Sequence, residues 1–77
     1  MPELQERSKF LRDVGAATRR LRMERGITQQ KLSELADLDL RTIQRIEAGK
    51  IDVLLRTLDK IRRALNCQWN DLLSKTN

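Results

Sequence analysis

The chain has 77 residues, 39% of them hydrophobic, which suits one small core and no second module. Sixteen Lys and Arg against 11 Asp and Glu give a formal net charge of +5 and a pI near 10.1. That balance favours a polyanionic partner, either nucleic acid or an acidic membrane surface.

One cysteine, Cys67, and no histidine exclude a disulfide framework and a structural metal site. No apolar run approaches a membrane span, and the N-terminus lacks the pattern of a secretory signal. A reducing cytoplasm is the expected location. Aromatic residues are too scarce for single-stranded recognition by base stacking, whereas duplex binding through phosphates and groove edges needs none.

Periodicity is helical nearly throughout. A polar lead-in precedes a first helix over about Ser8 to Arg25, where Phe10, Val14, Ala17 and Leu21 form one apolar stripe. Gly26 suits a left-handed cap, and Thr28 can N-cap a second helix, Gln29 to Ala36, buried through Leu32, Leu35 and Ala36. Lys31 stands where a full capping box would place Glu or Gln.

Asp37 tolerates a left-handed turn, and Asp39 is a good N-cap for a third helix from Leu40 to about Ala48, ended by Gly49. A fourth helix carries Leu54, Leu58, Ile61 and Leu65 on one stripe. A fifth, with Gln68 as its cap, carries Trp69, Leu72 and Leu73. The expected fold is all-α, a compact five-helix domain. Residues 1–13 are read as lead-in and helix start, 14–73 as the functional domain and 74–77 as a tail.

An enzyme is not expected. Cys67 has no histidine to activate it, and the carboxylates mostly alternate with basic residues as on solvated faces. No cofactor or metal is implied.

The positive signal is geometric. The second and third helices are separated by a three-residue turn, the spacing of a helix-turn-helix whose second helix enters the DNA major groove. At 100° per residue, Arg41, Gln44, Arg45 and Ala48 share one quadrant, Ile43 and Ile46 point away, and Leu40 lies at the border. Arg suits guanine O6 and N7, and Gln suits adenine N6 and N7.

Two motifs, Leu21-Arg22 with Gly26, Thr28 and Gln29, and Ile43 with Ile46-Glu47-Ala48-Gly49-Lys50, resemble the phage Cro/repressor type of helix-turn-helix, the XRE family. The likeness continues through Thr57 to Leu73. It implies a lambda-repressor-like fold and a sequence-specific regulator of transcription acting on double-stranded DNA. Leu40, Arg41, Gln44 and Arg45 would face the bases, with Leu40 against a thymine methyl. Gln29, Thr42, Gly49 and Lys50 would contact phosphates, and Gly49 would leave backbone N–H groups exposed. Arg22 and Glu47, also compatible on spacing, would form a partly buried ion pair that orients the third helix.

The chain departs from the pattern at Asp37, in place of a turn glycine, and at Ser33, in place of an alanine. Ser33 fits if its hydroxyl bonds back to the helix. The segment after Lys50 lacks the usual Asn-Pro.

Specific binding by such a module calls for two half-sites about 34 Å apart, hence a homodimer. The fifth helix is the expected pairing surface, with Trp69, Leu72 and Leu73 divided between core and interface. The alternative is an antitoxin or adaptor whose main partner is another protein, docked on Leu4, Phe10 and Leu11 or on the last helix. A membrane-surface role for Arg19 to Arg22 is disfavoured, because the stripe opposite is needed for the core.

Overall fold

The computed structural model describes residues 2–73, and side chains over 5–73. The expectations for Leu4 as a docking residue and for the 74–77 tail lie outside these described residues. Five helices and no strand occur among them: α1 Pro2–Glu24, α2 Gln29–Ala36, α3 Leu40–Glu47, α4 Leu55–Leu65 and α5 Trp69–Leu73.

α1 begins six residues earlier than its apolar stripe suggests (Pro2 against Ser8). Nothing in that polar lead-in breaks a helix: proline in the first turn lacks only an N–H that has no intrahelical partner. Its 23 residues span about 35 Å at 1.5 Å per residue, nearly the whole 37 Å long axis of the molecule.

The helices end in one repeated way. Gly26, Asp37, Gly49 and Asn66 adopt left-handed φ values of 65°, 56°, 69° and 51°. After α1 to α4, the left-handed residue and the one following it turn their N–H groups back onto the helix's last carbonyls: Ile27 to Arg22 and Gly26 to Met23, Leu38 to Ser33 and Asp37 to Glu34, Lys50 to Arg45 and Gly49 to Ile46, Cys67 to Arg62 and Asn66 to Arg63. These are Schellman motifs, and they set the tight corners between helices.

The core sits where α1, α2, α3 and α4 converge and α5 closes one end. Leu32, Ile43, Ile46, Ile61, Leu65 and Leu72 are essentially inaccessible, with Val14, Leu21, Leu58 and Cys67 around them. Thr18, also buried, donates its hydroxyl to the Val14 carbonyl at 2.9 Å. Trp69 is half-buried, with the Arg62 guanidinium 5.2 Å from its ring centre.

Several burial expectations are corrected. Leu35 is exposed because α2 is covered on the side of Leu32, Ser33 and Ala36, and Leu35 points away from it. Phe10 continues the α1 stripe but lies on the turns that overhang the core, and stays exposed. Leu54 precedes α4 and is 68% exposed. At α5 the side-chain capping bond comes from Asp71, which accepts the Gln68 backbone N–H at 2.9 Å, not from the Gln68 side chain.

Candidate nucleic-acid interface

The helix pair starts from Thr28. Its Oγ1 accepts the Lys31 N–H at 3.0 Å, which fixes the first turn of α2. Ser33 is buried and donates its hydroxyl to the Gln30 carbonyl at 2.7 Å, so it stands in place of an alanine without a stranded polar group. Asp37 turns the chain, and Asp39 opens α3 with an extended backbone. Asp39 takes the cap position but makes no side-chain cap bond, contrary to its expected role. Its carboxylate instead lines an open hollow between α2 and α3, with Glu34 and Asp37.

α3 has two sharply different sides. Ile43 and Ile46 are buried at 0% and 1% exposure. Arg41, Gln44 and Arg45 are exposed, and Leu40 is half-buried at the edge. Among the described residues Arg41, Arg45 and Lys50 have no carboxylate within ion-pair distance, whereas many other basic side chains do. Arg7 pairs with Asp52, Lys9 with Asp13, Arg20 and Arg25 with Glu24, and Arg62 and Arg63 with Asp59. The acidic residues thus offset charge on α1 and α4 and leave the outer side of α3 positive.

The far end of α3 is anchored by Glu47. Its carboxylate, almost fully buried, accepts Arg22 Nε at 2.7 Å, Arg22 Nη2 at 3.0 Å and Gln29 Nε2 at 3.1 Å. Arg22 Nη1 donates to the Ile27 carbonyl at 2.8 Å. The hydrogen bond to Glu47, opposed by burial and helped by its charge, raises the Arg22 pKa above its ordinary value. One charged cluster therefore ties together α1, the loop after it, the start of α2 and the end of α3.

The phosphate candidates do not gather at one place. Gln29 turns its amide inward to Glu47, a structural role its position in the sequence did not disclose. Thr42 is half-buried beside the α2–α3 hollow, apart from Gly49 and Lys50 at the other end of α3. The backbone N–H groups of Gly49 and Lys50 are not exposed as expected. Both are consumed by the cap, donating to Ile46 and Arg45. The exposed Lys50 side chain remains.

Two residues escaped the sequence reading, Gly15 and Arg12. A Cβ on Gly15 would lie 2.2 Å from the Ile46 carbonyl oxygen and 2.9 Å from that of Glu47, so α1 rests directly on the α3 backbone there. A Cβ on Gly49 would lie 3.0 Å from Arg12 Cα. The available signal was Gly15 itself: a glycine inside a helix costs about 1 kcal/mol against alanine and calls for a packing reason.

Two short helices joined by a left-handed turn, one seated in the core and presenting an unpaired basic face, define a helix-turn-helix. The family described as "Helix-turn-helix" matches residues 19–72, and the chain belongs to it, in its Cro/repressor (XRE) branch. The crystal structure of the restriction-modification controller protein C.AhdI from Aeromonas hydrophila is similar, with a TM-score of 0.78 and 31% identity, covering 80% of this chain and 94% of that one. No curated protein matches the chain. The chain is a DNA-binding transcription regulator and not an enzyme. Among the described residues no helix is long and apolar enough to cross a membrane.

Proposed function

We propose that the chain occupies a specific operator as a homodimer, each copy laying α3 in the major groove of double-stranded DNA. The observation that carries this reading is the exposed, uncompensated quadrant of Arg41, Gln44 and Arg45 on a helix whose opposite side is sealed in the core. Arg41 and Arg45 read guanine edges, Gln44 reads adenine, and Leu40 touches a thymine methyl. The DNA backbone is held by the Lys50 side chain beyond α3, by Thr42, and at Gln29 by the free N–H groups of the first α2 turn. Residues 14–73 form the binding domain, and the cytoplasm is its place of action.

Pairing through α5 has less support, because Leu72 is committed to the core and only Leu73 and part of Trp69 offer apolar surface. Leu54 and Leu55, 68% and 70% exposed and adjacent, fit a second copy better. They follow Gly49 by five and six residues, in the segment that leaves the recognition helix. A protein partner on Phe10 and Leu11 is the competing reading.

Selection of bound duplexes from a random pool tests the proposal. It should return a two-fold consensus with half-sites about 34 Å apart. For about six phosphate contacts, log affinity should fall with log salt at a slope near −5. Weak binding that ignores salt and yields no consensus favours the protein partner.

A further inference from the structure

We infer that Arg12 is a further DNA-phosphate contact, held at the exit of the recognition helix by the packing of α1 on Gly49. This rests on the placement of α3 in the groove given under Proposed function.

Three contacts run in opposite order along α1 and along the chain leaving α3. Gly15 lies on the Ile46 and Glu47 carbonyls, Arg12 on Gly49, and Arg7 pairs with Asp52. The approach at Gly49 is to the Arg12 main chain and the base of its side chain: a Cβ there would lie 3.0 Å from Arg12 Cα, 3.0 Å from Cγ and 3.2 Å from N. Arg12 is thus fixed in position by its main chain, while its side chain is exposed and, among the described residues, has no ion pair and no hydrogen bond. Its neighbour across the contact is Lys50, also exposed and unpaired.

The one nearby carboxylate on that loop, Asp52, is engaged by Arg7 and so offsets less of the positive potential. The arrangement adds Lys50 and Arg12, beyond the end of α3, to Arg45 on its last turn, each without an ion-pair partner among the described residues. A flexible cation on a fixed stem, without a fork-shaped partner to read, suits a phosphate oxygen and not a base edge. Arg12 and Arg7 lie on turns of α1 that precede the family-matched residues 19–72. The overhanging half of α1, which buries little of the core, thereby acquires a role.

The test compares salt dependence for the wild-type chain, Arg12→Ala, Arg12→Lys and Lys60→Ala, each on a selected duplex and on a random one. Lys60 is exposed on α4 and loses the same charge away from this contact. Arg12→Ala should make the log–log slope shallower by about 0.9 and weaken both duplexes by the same factor. Arg12→Lys and Lys60→Ala should keep the wild-type slope. An unchanged slope in Arg12→Ala, or an equal loss in Arg12→Lys or Lys60→Ala, overturns the inference while leaving α3 in the groove. A wild-type chain with no salt-dependent duplex binding removes the underlying reading instead.

Discussion

Arg22 and Glu47 meet through two hydrogen bonds, at 2.7 and 3.0 Å, with side chains only 12% and 4% exposed. The pair spans 25 residues and fixes where α3 ends relative to α1. Replacing either partner alone leaves the other charge buried, and should cost about 3–5 kcal/mol. Replacing both with apolar residues of similar volume should cost far less in stability. Urea unfolding of Arg22→Met, Glu47→Leu and the double variant checks this. The double variant should bind DNA less tightly than its stability alone implies, since the pair aims α3.

Gly15 makes the companion contact. A methyl group there collides with the Ile46 carbonyl, which belongs to the backbone and cannot swing aside. Gly15→Ala should therefore destabilise by about 1–3 kcal/mol and also weaken duplex binding, by pushing α3 from its seat. Gly26→Ala is the contrast. Nothing lies within 4 Å of its Cβ position, but φ is +65°, so it should cost about 1 kcal/mol of stability with no separate effect on DNA.

These contacts mark the boundary of what the sequence discloses. The α2 limits, the Thr28 cap, the left-handed turns at Gly26 and Asp37 and the two faces of α3 all follow from local chemistry and the 3.6-residue period, and they are present. The Arg22–Glu47 pair followed from the family likeness. Leu35, Phe10 and Leu54 did not follow, because a stripe names an apolar face without saying which neighbour covers it. Gln29 and Gly49 show the same gap at the site. Their residue types suit phosphate, yet the fold spends the Gln29 amide on Glu47 and the Gly49 N–H on the cap.

Asp37 carries a measurable cost. Its φ of 56° is natural for glycine and strained for a residue with a Cβ. Asp37→Gly should raise stability by about 1 kcal/mol in thermal unfolding. It also removes one of three carboxylates from the α2–α3 hollow, and so should modestly strengthen binding to random duplex.

Cys67 is buried, and burial chiefly pushes its thiol above the ordinary value of 9.0, with Arg25 opposing. The folded chain resists ionising this group, so the unfolded chain loses the proton first. The wild type should therefore lose stability relative to Cys67→Ala as pH rises above about 9, and the two should keep a constant difference below it. Alkylation of the native thiol at neutral pH should be slow. A pH series of urea midpoints for both proteins gives the answer.

The most direct test of the account is the affinity of Arg45→Ala for a selected operator and for a random duplex at one salt concentration. If the outer side of α3 reads bases, the operator complex weakens by about 1–3 kcal/mol, one base position relaxes, and the random duplex loses much less. An equal loss on both duplexes would show that Arg45 meets only phosphate and contradict the assignment of this face to sequence recognition.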